Sequence, residues 1–437
     1  MEWYHLLLII FGALVFLFIT GFPVAFCFLL VTMIGVYFIW GGQGGLEQLT
    51  YSIATSVSNF ALLPVPLFIL MGELIFHSGL APVMIEALDK WMGRIPGRLS
   101  LLAVGAGTLF SALTAVSMST VAMLGAAMTP EMEKRGYKKE MSIGPILGSG
   151  GLAHMVPPSD LGVILGFIAQ ISIGRILMAI IFPGLLVASI YATYIILRCR
   201  FQPSIAPVYE TPRISLLGKV IHTVRYIFPA GIVVFLVIGV IFLGVATPTE
   251  ASATGVFGTF ILVAIYRRLN WTVLKNALYD TLKITVMVFM ILVGALAFSQ
   301  ILGFSGATRG LAAFATGFAV PPVVIFIFMQ VVLIFLGCFI EVVSMMMVTV
   351  PVFMPVVYAL GIDPVWFAVV YLVNVEVAAI SPPFGLSLFV MKGVAPRGTT
   401  MGDIYRAALP FIGLTLIAIG IIIAFPKIAL WLPSIMR

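Results

Sequence analysis

Apolar residues run through this chain in long blocks separated by short polar links. Twelve blocks stand out: 5–20, 23–40, 61–77, 99–129, 143–168, 176–197, 226–246, 251–266, 284–304, 321–360, 365–391 and 407–425. Each is about long enough for a helix to cross a bilayer, which takes roughly 20 residues. The blocks 5–20 and 23–40 meet at Gly21-Phe22-Pro23 with no polar link, and 99–129 and 321–360 are too long for one ordinary span.

Basic residues orient the blocks, because Lys and Arg concentrate on cytoplasmic loops. Loop 78–98 carries Lys90, Arg94 and Arg98; loop 130–142 carries Lys134, Arg135, Lys138 and Lys139. Both ends of 99–129 are thus cytoplasmic. That predicts a hairpin entering from inside, turning within the membrane at the Ser- and Thr-rich 110–120, and returning. The same logic places 198–225 and 267–283 inside, and 169–175, Arg309 and 361–364 outside. Block 321–360 is then a second re-entrant hairpin, entering from the outer face, with its middle at 337–347. Ten crossings and two hairpins put both termini outside. Of the 23 Lys and Arg, all but Arg175, Arg309, Lys427 and Arg437 fall inside.

Composition supports a polytopic membrane protein. Of 437 residues, 62% are hydrophobic and 9% charged, whereas about a quarter of a soluble domain is charged. The net charge of +7 reports orientation and gives no reason to expect nucleic acid. Cys27, Cys199 and Cys338 sit at unrelated positions and suggest small apolar fillers, with neither a disulfide frame nor a metal cluster. The N-terminus lacks a basic region and a small-x-small cleavage site, so it reads as the first membrane segment and not as a removed signal peptide. The longest polar stretch, 198–225, is too short to fold alone.

The two halves resemble each other. "VSMSTVAM" (116–123) matches "VSMMMVTV" (343–350), with Ser117 and Ser344 227 residues apart. Gly79 and Gly306 share that spacing; Gly136 and Gly361 are 225 apart, as are "VPPSDLGVIL" (156–165) and "SPPFGLSLFV" (381–390). The first hairpin enters from inside and the second from outside, so the halves are inverted copies. Inverted repeats with broken helices are the pattern of secondary transporters, whose sites lie at mid-membrane between the repeats.

Each half therefore offers a hairpin tip and a Pro-Pro break. Proline removes a backbone donor, and irregular backbone survives at membrane depth only where protein or a water-filled cavity surrounds it. Freed carbonyls and hydroxyls suit a small hard cation, which takes oxygen ligands; a transition metal would call for His and Cys. Helix N-termini at the same breaks suit an anion's carboxylate. In the first half the candidates are Ser111, Thr114, Ser117 and Ser119 at the tip, then Ser149, Gly150, Gly151, Pro157 and Ser159 at the break. In the second half they are Glu341 and Ser344, then Asn374, Glu376, Ser381, Pro382 and Gly385. Small residues also permit close helix packing, but packing does not explain Pro-Pro twice at matching places. Ionisable groups at membrane depth point to function; His154, Asp160, Glu341 and Glu376 qualify. Glu73 and Glu250 lie nearer span ends and read as structural. Asp160 has the alternative of capping the restarting helix. For His154 the alternatives are a neutral hydrogen-bonded residue or one that titrates during transport.

At these residues the chain resembles a known family, the large membrane subunit of TRAP (tripartite ATP-independent periplasmic) transporters. The resemblance rests on "PVPLFILMGELIFHSGL" (64–80), "MVPPSD" (155–160), "ISIGRILMAIIFPGLL" (171–186), "GVATPTEASA" (244–253), "LGIDPVWFAVV" (360–370) and "ISPPFGLSLFV" (380–390), and covers essentially the whole chain. It implies an all-α, elevator-type, ion-coupled transporter built from a scaffold and a transport domain. It also implies a smaller membrane subunit of about four helices resting on the scaffold, a periplasmic binding protein that delivers an organic acid, residence in the bacterial inner membrane, and sodium as the driving ion. Sodium is expected at Ser111, Thr114, Ser117, Ser149, Gly150, Pro157, Glu341, Ser344, Asn374, Ser381 and Pro382. The substrate is expected at His154, Ser159, Asp160, Glu376 and Gly385.

The chain departs from the family at the site. Where members read Ser-Gly-Ser-Ala and then Asp, it has Thr114-Ala115-Val116-Ser117 and then Thr120. Where they read Thr-Ile-Gly-Pro, it has Gly151-Leu152-Ala153-His154. Glu341 replaces an Asp, Asn374 matches, and Glu376 replaces an apolar residue. These departures point to altered specificity or to a proton as coupling ion. The alternatives are a stand-alone cation-coupled organic-anion symporter, or an intramembrane enzyme using His154, Asp160 and Glu376, although no HExxH, GxSxG or paired catalytic Asp signature is present. The expected segments are N-terminal scaffold helices (1–60), a first repeat (61–197), a cytoplasmic link with scaffold helices (198–283), a second repeat (284–406) and a C-terminal helix (407–437).

Overall fold

The computed structural model describes residues 2–93, 95–114, 116–208 and 215–436. Arg94, Ala115 and Arg437, which entered the charge and hairpin readings, lie outside them. The described residues form helices and no strand. The chain opens with α1 (Trp3–Ile19), α2 (Val24–Ile39), α3 (Gln43–Val57), α4 (Pro64–Ser78) and α5 (Ala81–Asp89). The first hairpin is α6 (Arg98–Thr114) and α7 (Ser117–Lys134); α8 (Lys139–Gly151) and α9 (Asp160–Ala169) flank the first Pro-Pro; α10 (Ile173–Ala179) and α11 (Ile181–Phe201) follow. Then come α12 (Leu216–Tyr226), α13 (Phe228–Phe242), α14 (Pro248–Ile265), α15 (Trp271–Phe304) and α16 (Ala307–Thr316). The second hairpin is α17 (Pro322–Gly337) and α18 (Val342–Ala359); α19 (Pro364–Ile380) and α20 (Leu386–Val394) flank the second Pro-Pro; α21 (Met401–Ala424) and α22 (Lys427–Ile435) end the chain.

The spacing seen in the sequence continues through whole elements. Adding 225 to the bounds of α7 gives those of α18, 342–359, and the same shift carries α9 to within one residue of α20. The connections match too. Gly79 and Gly306 both adopt left-handed backbone (φ 66° and 73°), as do Gly136 and Gly361 (φ 76° and 66°). A residue with a Cβ avoids that region, so glycine stops each helix. Before each of the first pair a serine back-bonds its own helix, Ser78 to Ile75 O (2.7 Å) and Ser305 to Leu302 O (3.0 Å).

By length and apolar composition six helices are long enough to cross a membrane, and α12 with α13, bent by 44°, makes a seventh. The shortfall from ten crossings has a physical source: the Pro-Pro spans are split into halves of 9 to 17 residues, and α1 and α2 are 17 and 16 residues long.

Three expected segment boundaries fall inside continuous helices. Position 197/198 lies in α11, 283/284 in α15 and 406/407 in α21. Charged residues such as Arg198, Lys283 and Arg406 end an apolar run without ending a helix, because their stems snorkel to the water. The polar stretch 198–225 likewise contains the end of α11, a short 3-10 turn at Pro203–Ile205 and most of α12. Glu250 is structural: with Thr247 it forms a capping box at the start of α14.

Around α4 and α15, which pack on each other, lie α2 and α14. Around α8 lie α6, α7 and α21, and around α19 lie α17, α18 and α21. The hairpins are exchanged between halves: α7 packs on α20, and α18 on α9.

Candidate functional site

In the first hairpin Val116 is in extended backbone just before α7. Thr114 Oγ1 is 3.0 Å from Thr120 Oγ1, whose own hydroxyl donates to Val116 O. The hydroxyls of Ser111 and Ser117 are buried with no partner among the described atoms. The tip presses on α4, where a Cβ at Gly72 would strike the Thr114 backbone. Ser119 faces outward from the tip; its hydroxyl donates to Glu73 Oε1 at 3.3 Å. Glu73 is therefore a buried residue inside α4 that meets the hairpin, and not a span-end group.

The first break clasps the same hairpin. A Cβ at Gly107 would overlap Ser149, and one at Gly150 would overlap Val121. Only glycine lets α8 enter between the arms. Ser149 back-bonds to Ile146 O (3.1 Å). A single 3-10 turn, Leu152–His154, follows α8, then Pro157 and Pro158 in a cis peptide. Ser159, and not Asp160, caps α9: its hydroxyl accepts from Gly162 N and donates to His154 O, both at 3.1 Å. Asp160 Oδ1 accepts from Leu161 N (2.7 Å). His154 is buried, with Nδ1 unpartnered among the described atoms.

In the second half Glu341 caps α18, accepting from Val343 N and Ser344 N (3.0 Å each) and from the Ser344 hydroxyl (3.1 Å). Because α18 packs on α9, Glu341 and Asp160 begin two neighbouring helices. At the second break Ser381 back-bonds to Val377 O (2.7 Å), and Pro382–Pro383 is cis. A Cβ on Gly385 would lie 2.7 Å from Ala379 O, so glycine permits the tight return into α20.

Asn374 and Glu376 project to opposite sides of α19. Asn374 Nδ2 donates to Gln330 O (2.9 Å) and Gln330 Oε1 (3.0 Å), while Oδ1 is buried and unpartnered among the described atoms. Glu376 Oε1 accepts from Tyr191 at 2.6 Å, and the phenol is 2.6 Å from Thr415 Oγ1. Glu376 Oε2 is unpartnered among the described atoms. The Glu376 side chain also meets Gly151, where a Cβ would overlap its Cγ.

The structure thus sets Ser149 against Gly107 and Gly150 against Val121 and the Ser117 carbonyl, and joins the two breaks through Gly151 and Glu376. It separates Ser119, which serves Glu73. Gln330, Tyr191 and Thr415 were missed by the sequence reading, which followed charges and prolines. A lone amide within the apolar α17 was the available signal for Gln330.

The chain matches, over residues 11–428, the family described as "Tripartite ATP-independent periplasmic transporter, DctM component". It is 29% identical to the C4-dicarboxylate TRAP transporter large permease protein of Pseudomonas aeruginosa, over 89% of this chain and 90% of that one. It is 30% identical to the ectoine TRAP transporter large permease protein of Halomonas elongata, over 95% and 96%. It is 28% identical to the isethionate TRAP transporter permease protein DctMQ of Oleidesulfovibrio alaskensis, over 97% of this chain and 66% of that one. Its fold is similar to the YdaH transporter of Alcanivorax borkumensis, with a TM-score of 0.67 at 16% identity over 91% of each chain. Broken, hairpin-clasped helices and a match spanning nearly every residue lead to one conclusion: the chain belongs to the DctM component family of tripartite ATP-independent periplasmic transporters.

Proposed function

We propose that this chain is the permease subunit of a sodium-driven importer for an organic acid, residing in the bacterial inner membrane, and is not an enzyme. A periplasmic binding protein delivers the substrate, and a small membrane subunit rests on the scaffold. The DctMQ relative, of which this chain covers two thirds, supports a second membrane component. The names of the relatives span a dicarboxylate, a sulfonate and a zwitterionic compatible solute, so the shared chemistry is a small anionic group.

One observation carries the reading. Ser111 Oγ and Ser117 Oγ at the first hairpin and Asn374 Oδ1 on α19 are buried acceptors without partners among the described atoms. Buried oxygens are rarely left so, and a hard cation such as sodium is a ligand that suits them. In the proposed cycle sodium orders the hairpin tips and completes the anion site at the starts of α9 and α20. Hairpins and broken helices, inverted between the halves, then move as one body against α4 and α15. The test is co-reconstitution. Uptake by liposomes is expected only when the chain, the small membrane protein and the binding protein are all present. Uptake by the chain alone would identify a stand-alone symporter instead.

A further inference from the structure

Away from the breaks, Glu73 and His77 stand one turn apart on α4, facing Asp280 of α15. Spacing of four residues puts the first two on one helix face. His77 Nε2 lies 2.8 Å from Asp280 Oδ2 and 3.5 Å from Glu73 Oε2, and the three ligand atoms lie within 4.8 Å of one another. No Lys or Arg pairs with either carboxylate among the described residues.

We propose that Glu73, His77 and Asp280 form a binding site for a divalent transition-metal ion of the zinc class, joining α4 to α15. Imidazole nitrogen and carboxylate oxygen are both zinc ligands, and three of them leave a fourth position for water. Bonds of about 2.0–2.1 Å in a tetrahedron put neighbouring ligand atoms roughly 3.3 Å apart. The Glu73–His77 separation of 3.5 Å already meets that; Asp280 has to open from His77 by about half an ångström, and the two carboxylates, all three ligand atoms lying within 4.8 Å, have to turn onto one ion. Two carboxylates beside one imidazole, with no cation paired to them among the described residues, make a donor set that a dication suits.

The surroundings complete the site. Ser119 of α7 donates to Glu73 Oε1, which orients the carboxylate and leaves Oε2 for the metal; outer-shell partners of this kind fix and tune ligands. Glu73 is buried, while the side chains of His77 and Asp280 are 19% and 39% exposed, so an ion has a path in. Through Ser119 the site reaches the first hairpin tip. This inference does not rest on sodium coupling.

The test is a Co²⁺ titration of the full chain, purified without a polyhistidine tag. One ion per chain is expected, with the visible absorption of tetrahedral Co²⁺, displaced by Zn²⁺. His77→Ala and Asp280→Asn should each weaken binding at least about tenfold, with unchanged metal-free unfolding temperatures, and Ser119→Ala should weaken it less while keeping the stoichiometry. No saturable binding, or unaltered affinity in His77→Ala, would overturn the proposal. Should the variants fail to fold, X-ray absorption on wild-type protein decides. A nitrogen and oxygen shell with imidazole scattering supports the site; a sulfur shell, or oxygen alone, contradicts it.

Discussion

Gly151 lies flush against the side chain of Glu376, so that the last turn before one helix break rests on the last turns before the other. No Cβ fits between them. Glu376 cannot swing freely away, because Tyr191 holds its Oε1. Gly151→Ala is therefore expected to destabilise the chain by about 1–3 kcal/mol, the usual cost of overpacking. Thermal unfolding measures this. In a Glu376→Ala background the same change should cost at least about 1 kcal/mol less, since residues in contact do not behave additively.

Tyr191→Phe removes the hydroxyl that donates to Glu376 Oε1 and lies beside Thr415 Oγ1. Leaving a buried carboxyl oxygen unsatisfied costs about 1–3 kcal/mol. Unfolding should shift accordingly, whereas Tyr194→Phe, on a half-buried ring of the same helix, should shift it little.

These contacts mark where the sequence stopped being informative. Pro157–Pro158 and Pro382–Pro383, Gly79 and Gly306, and Gly136 and Gly361 were legible because backbone constraint is a property of the residue itself. Their common spacing recurs in the bounds of α7 and α18 and, to within one residue, of α9 and α20. Glu376 with Tyr191, Asn374 with Gln330 and Ser119 with Glu73 were not legible: each joins helices far apart in sequence, and a polar residue in an apolar helix announces burial without naming its partner. The ends of α11, α15 and α21 were misplaced because helices continue past the apolar run that reveals them.

Ser111 and Ser117 give a test that separates ligand from filler. Neither hydroxyl has a partner among the described atoms, so Ser→Ala removes an unsatisfied buried group and should not destabilise the chain. As cation ligands, each should raise the half-saturating sodium concentration of uptake roughly tenfold, about 1.4 kcal/mol. Unchanged sodium dependence would make both serines packing residues.

His154 and Glu376 stand where the resembled family has other residues. Substrate range and ion dependence should change in His154→Ala and Glu376→Gln when sodium and pH are varied separately. Unaltered substrate range together with unaltered dependence on both ions would remove these residues from coupling and recognition.

The most direct measurement is uptake of the binding protein's ligand by proteoliposomes holding the chain and its small subunit, with external sodium replaced by choline at constant pH and potential. Accumulation is expected under an inward sodium gradient, and its loss in choline. Equal accumulation in both media would contradict sodium coupling.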